Sequence, residues 1–217
     1  MLKYKCLVLD HDDTVVMSTP EIHYPQFVRT LAKLRPEISM SLEDFVNYCF
    51  EPGFHSLCMG ILNFTEEEMN YQLSSWREYV SNHIPNFYAD MSEIIERQKA
   101  EGGLVCVVSH SCKENIRRDY QTHCKIQPDM IFGWELGENM RKPHPYPLEQ
   151  IMKTYELSPK DLLMVDDLKP GFDMAKCCDV DFACAGWSHQ NDYIVDYMQK
   201  NCTTYLTKVT QLSDLLF

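Results

Sequence analysis

The sequence predicts an α/β fold, a doubly wound parallel sheet with a helical segment inserted after its first strand. Three observations predict it. Short runs that are apolar at nearly every position recur along the chain, as in strands buried on both faces. Helix signals fall between those runs, giving the strand–helix alternation of a parallel sheet. Residues 17–85 lack such a run and read as helices instead.

The first strand is Tyr4–Leu9, running into Asp10-His11-Asp12-Asp13-Thr14. Three helices follow. Glu21 to Leu34 carries Phe27, Leu31 and Leu34 on one face. Ser41-x-x-Asp44 opens a shorter helix with Phe45, Val46 and Cys49. Thr65-x-x-Glu68 is a capping box, after which Met69, Leu73, Trp76 and Val80 repeat at helical spacing. A stretch of roughly 65–70 residues is far longer than an ordinary loop. It is therefore read as an inserted helical subdomain, residues 17–85, between core segments 1–16 and 86–217.

In the core, Asp90 and Glu93 open a helix that stops at Gly102-Gly103. Leu104–Val108 is the second strand, and Ser111-x-x-Glu114 predicts a capped helix through about Tyr120. Met130–Phe132 is a weaker strand, and Tyr146-Pro147-Leu148 puts proline in a first helical turn. Leu162–Val165 and Phe182–Ala185 complete the set. The layout is Rossmann-like.

The chain has 217 residues, is 45% apolar and carries a formal net charge of −12. That balance disfavours nucleic acid and anionic membranes as partners. No stretch approaches the roughly 20 apolar residues that span a bilayer. The first apolar strand begins so early that no signal peptide is expected, which predicts a cytoplasmic protein. The ten cysteines form no C-x-x-C, and Cys6, Cys106 and Cys184 sit inside apolar runs, as small hydrophobes do.

Asp10 and Asp12 lie two apart where a strand ends, so both carboxylates can face one site. Asp166-Asp167 follows another buried strand. Gathering these acids needs a cation, and a hard divalent ion with oxygen ligands, Mg²⁺ above all, answers that need. Ser109 leaves the second strand, and it suits phosphate oxygens better than Ser111, which reads as a helix cap. Lys142, in Arg141-Lys142-Pro143-His144-Pro145, is held extended by the proline after it and offers a point charge.

The order of these segments, LVLDHDDTVV, VCVVSHS, RKPHPYPL and LLMVDDLKPGFDMA, resembles the haloacid dehalogenase superfamily. The resemblance covers about residues 1–16 and 86–217, and the helical insert looks like that family's cap. It implies Asp10 as nucleophile through an aspartyl-phosphate, and Asp12 as general acid and then base. It implies that Thr14 shapes the nucleophile loop, that Ser109 and Lys142 bind the phosphoryl group, with His110 beside them, and that Lys142 neutralises Asp10. The Mg²⁺ ligands would be Asp10, the Asp12 carbonyl and Asp167, with Asp166 as ligand or close neighbour. Asp13 stands where many members have glycine, and His11 between the aspartates is unusual; its backbone, rather than its ring, is placed to meet a phosphoryl group.

The family's dehalogenases lack the second aspartate and the metal, so a phosphohydrolase of a small phosphate ester is the stronger expectation. A β-phosphoglucomutase-type enzyme is the nearer alternative, because Ser18–Tyr24 resembles the early cap segment of those proteins; Glu21 and His23 would then join His11 as substrate contacts. A non-catalytic phosphoester binder is the third reading, although no reacting group is lost. Trp76 is expected in the cap core, and Trp134 and Trp187 as packing residues near the rim. The sequence names neither the ester nor the oligomeric state.

Overall fold

The computed structural model describes residues 2–217. In chain order, β1 is Cys6–Leu9, followed by α1 Tyr24–Leu34, α2 Leu42–Tyr48, the single turn α3 Phe54–Ser56 and α4 Glu66–Asn82. Wide helical turns at Thr19–His23, Cys49–Gly53 and Leu57–Ile61 join these helices. Then come α5 Met91–Ala100, β2 Leu104–Val108, α6 Lys113–His123, β3 Met130–Phe132, α7 Tyr146–Tyr155, β4 Leu162–Asp166 and α8 Lys169–Cys177. The chain closes with β5 Asp181–Ala185, α9 Asp192–Asn201, β6 Tyr205–Leu206 and α10 Val209–Leu216.

The strands form one parallel sheet in the order β3-β2-β1-β4-β5-β6. Its strands read as unbroken apolar runs because alternate residues enter opposite cores. Leu7, Leu9, Val105, Val107, Leu163 and Val165 pack on one face with Ile95, Tyr120 and Leu212 of α5, α6 and α10. Cys6, Val8, Cys106, Val108, Leu162 and Met164 pack on the other with Leu148 and Ile151 of α7 and Met174 of α8. Strand order reverses between β1 and β4, and such a switch point is where open α/β sheets place their ligands. Register pairs Leu9 with Val107 and with Val165, so β1, β2 and β4 end side by side.

The chain divides into two compact units, Met1–Val16 with Phe87–Phe217, and Met17–Asn86. The second is all helical. Its core gathers Phe27, Leu31, Phe45, Leu57, Leu62 and Phe64. Both expected capping boxes form, at Ser41/Asp44 and Thr65/Glu68. Arg35 makes two hydrogen bonds to Glu68, at 2.9 and 3.0 Å, tying α1's end to α4's first turn.

Several local expectations change. On α4 the buried residues are Gln72 and Val80, while Met69, Leu73 and Trp76 are half-buried. Gln72 turns inward because Gln26 supplies an amide partner at 2.9 Å. Asp90 precedes α5 without a side-chain cap. Helix α6 starts at Lys113, two residues after Ser111, whose hydroxyl instead bonds Asp12. Trp134 is 53% exposed, with the Arg141 guanidinium 3.6 Å from its ring centre. Strand β6 is an addition to the expected set: two residues are too few to show a pattern.

Candidate active site

Three strand ends and one loop build the site within the first unit. Asp10 follows β1, and its N–H donates to the Val165 carbonyl at 2.9 Å, locking it beside β4. Asp166 is the last residue of β4 and is fully buried. Lys142 comes from the loop before α7, and its Nζ lies 2.6 Å from Asp10 Oδ1 and 2.6 Å from Asp166 Oδ2. The contact to Asp166 is a hydrogen bond, whereas the one to Asp10 is an ion pair without hydrogen-bond geometry. His110 fixes the Lys142 backbone, its Nε2 donating to the Lys142 carbonyl at 3.0 Å. Thus His110, an exposed residue, meets the lysine's main chain.

Asp166 can approach α8 this closely because residue 171 is glycine. A Cβ there would sit 2.2 Å from Asp166 Oδ2 and 2.5 Å from its Cβ. The Leu168 N–H donates to Asp166 Oδ1 at 2.9 Å, so both oxygens of this carboxylate are held.

Asp12 is engaged by Ser111, whose Oγ donates to Asp12 Oδ2 at 2.5 Å. The Ser111 N–H in turn donates to Ser109 Oγ at 3.1 Å. Ser111 is therefore a site residue that the capping-box pattern concealed. Asp13 has a positive φ of 55°, the left-handed turn that explains glycine as a common alternative there. Asp167 Oδ2 accepts from His189 Nε2 at 2.6 Å, and Thr14 Oγ1 lies 3.4 Å from Asp167 Oδ1. His189 carried no signal in the sequence, because it lies 22 residues beyond its partner on the loop after β5.

His11 is 1% exposed, and its Nε2 lies 3.1 Å from Asp119 Oδ2, which Arg118 flanks. Its imidazole is thus turned into the protein, leaving only its backbone to meet a ligand. Glu21 accepts the Asn86 N–H at 2.7 Å, and His23 Nδ1 accepts from Trp76 Nε1 at 3.0 Å. Both side chains make these bonds inside the second unit.

Charge decides what this cluster can hold. Ligand atoms of Asp10, Asp166 and Asp167 lie within 4.8 Å of one another, and so do those of Asp13, Asp167 and His189. Three carboxylates against one ammonium leave two negative charges, which one divalent cation cancels. Without it each like pair costs on the order of 3–4 kcal/mol at an effective dielectric of about 20. Burial, opposed by Lys142 and helped by Asp166, Asp167 and Asp12, pushes Asp10 well above the usual carboxylate range. Asp166 is raised to about 6 by burial, with Lys142 opposing and Asp167 adding. Burial pulls Lys142 down, but Asp10 and Asp166 outweigh it and keep it protonated. For His110, desolvation and then the Lys142 charge lower the pKa to about 4, against the opposing pull of the Lys142 carbonyl. The donor set is all oxygen around Asp10, Asp166 and Asp167, which fits a hard ion such as Mg²⁺.

A buried carboxylate, a lysine and an acid cluster thus meet at the switch point of a parallel α/β sheet. Residues 7–185 match the haloacid dehalogenase-like hydrolase family, and the chain belongs to it. The pyrophosphatase PpaX of Bacillus cereus (strain B4264) is 25% identical over 171 residues, covering 76% of each chain. Among solved structures, a predicted phosphoglycolate phosphatase from Haemophilus somnus 129PT is similar over 99% of both chains, with TM-score 0.82 and 18% identity. CbbY from Rhodobacter sphaeroides, in complex with xylulose-(1,5)bisphosphate, covers 94% of both chains with TM-score 0.68 and 12% identity.

Proposed function

We propose that this chain is a Mg²⁺-dependent phosphohydrolase that cleaves a small-molecule phosphate monoester through an aspartyl-phosphate on Asp10. The observation that carries the proposal is the Lys142 ammonium set 2.6 Å from both Asp10 and Asp166. A lysine so placed opposes the burial that favours protonated Asp10 and leaves a cation's field beside the attacked phosphorus.

Asp10 attacks phosphorus in line, and the bond from phosphorus to the leaving oxygen breaks. Asp12 gives its proton to that oxygen, after Ser111 releases the carboxylate. Water then attacks the phosphoryl group while Asp12 takes its proton, and the Asp10–phosphorus bond breaks to free inorganic phosphate. Ser109, with N–H groups of its loop, binds phosphoryl oxygens, and Lys142 neutralises charge as it develops. Asp10, the Asp12 carbonyl and Asp167, with Asp166 alongside, would hold the Mg²⁺, which supplies further charge neutralisation to the transferring group.

The helical unit, residues 17–86, is read as a cap that sets substrate choice, by its place between the first motif and the rest. A mutase reading gains nothing from Glu21 and His23, whose side chains are bonded to Asn86 and Trp76. A cytoplasmic location is in keeping with ten free cysteines.

The test is a panel of sugar phosphates, phosphoglycolate, nucleotides and pyrophosphate, assayed for released phosphate with Mg²⁺ and with chelator. We expect Mg²⁺-dependent release from one class. Equal release in chelator, or none from any ester at high enzyme concentration, contradicts the proposal.

A further inference from the structure

We infer that His189 is a positioning residue of the metal site, donating from Nε2 to one oxygen of Asp167 so that the other is presented to the cation. The inference rests on the metal-dependent reading above. It names a side chain outside the four motifs, from the loop after β5.

The geometry is that of a built contact. His189 Nε2 lies 2.6 Å from Asp167 Oδ2, and the two side chains are 10% and 4% exposed. With Oδ2 committed, Oδ1 is the oxygen left to a cation, and the Thr14 hydroxyl near it stands at a long 3.4 Å. The loop carrying His189 is tied down at every step. Gly186 lets the backbone press on Tyr205, since a Cβ there would be 2.3 Å from the ring. Trp187 Nε1 donates to the Thr14 carbonyl at 3.2 Å, and Ser188 Oγ donates to the Ala185 carbonyl at 2.7 Å. Thr14, Trp187, His189 and Asp167 thereby close a ring joining the nucleophile loop, the β5 loop and the end of β4. Asp13 lies on the same side, its carboxylate grouped with Asp167 and His189.

A carboxylate free to rotate loses orientation entropy when it binds a cation, and a hydrogen bond to its second oxygen removes that cost beforehand. Partners of this kind typically contribute 10–100-fold in metal affinity. An imidazole does this better than a longer flexible donor, because its ring is fixed by two torsions.

The experiment measures Mn²⁺ and Mg²⁺ affinity by calorimetry on the full chain, for wild type, His189→Phe and His189→Gln. Phenylalanine keeps the ring's packing and removes the donor, while glutamine restores an N–H donor. We expect His189→Phe to bind roughly 10–100-fold more weakly, and His189→Gln to recover most of that loss, with thermal melts confirming that each variant is folded. Unchanged affinity in His189→Phe, or a glutamine variant as weak as phenylalanine, overturns the inference and leaves the phosphohydrolase reading intact. A wild type that binds neither ion overturns that reading itself.

Discussion

At the residue scale, the protonation of Asp166 carries the clearest pH signature. Its carboxyl is raised from 3.8 to about 6, chiefly by burial. The metal-free folded state therefore holds a proton that the unfolded state has lost between those values. The stability this contributes is complete below about 3.8 and is lost as pH rises through about 6. In chelator, wild type should lose stability relative to Asp166→Asn as pH rises from about 4 to about 7, by on the order of 2–3 kcal/mol. Denaturant melts at a series of pH values check this, and a constant gap between the two proteins contradicts it. Asp10, Asp12, Asp166, Asp167 and Lys142 were legible in the sequence because acids at the ends of neighbouring strands repel one another unless cations sit among them. Ser111 was hidden because a serine three residues before a glutamate is also a helix cap, and only the contact with Asp12 tells the two apart. His189 was invisible because a lone histidine on a loop has no pattern, and its partner is set by which strands are neighbours.

At the element scale, the site depends on how closely α8 packs on the end of β4. Gly171→Ala inserts a Cβ that would sit 2.2 Å from Asp166 Oδ2, with no room along the rest of that side chain. Overpacking of this kind costs about 1–3 kcal/mol. A shift of Asp166 by about 1 Å, and of Lys142 with it, is worth up to roughly 10²-fold in rate. We expect the variant to fold, with a lowered melting temperature and a turnover loss larger than its stability loss explains. Native kinetics in Gly171→Ala would contradict the argument. The strands and most helices were legible, because apolar runs and capping boxes are local chemistry. On α4 the apolar spacing finds Val80 but misses Gln72, which is buried by an amide partner on α1, a contact between elements that no single helix encodes.

At the scale of the whole molecule, a net charge of −12 sets a problem for any enzyme of anionic esters. A cation bound in the acid cluster solves it locally without changing the surface. A metal held there, as proposed, would link its binding to folding. At a Mg²⁺ concentration about a hundred times its Kd, binding adds about 2.7 kcal/mol, which for a chain of this size is roughly 5–10 °C in Tm. Thermal scans with Mg²⁺ and with chelator test this, and the rise should vanish in Asp167→Asn; an equal rise in that variant would place the ion elsewhere. Because the chain has two compact units, such scans should follow a probe from each. Among the described residues no helix is long and apolar enough to cross a membrane. The parallel sheet and the inserted helical segment were both legible, since alternation and the lack of buried strands over 17–85 are properties of long stretches. The substrate was not, because no residue pattern in the sequence names an ester.

The most direct measurement is to trap the covalent intermediate. Asp12→Ala should remove the base that activates water, a contribution typically worth ~10²–10⁴-fold, while p-nitrophenyl phosphate supplies a leaving group that needs no proton. Rapid acid quench of that variant with this ester and Mg²⁺, followed by peptide mass analysis, should find one phosphoryl group on Asp10. A phosphoryl group on any other residue, or release of p-nitrophenol at the native rate with none on Asp10, would contradict the account.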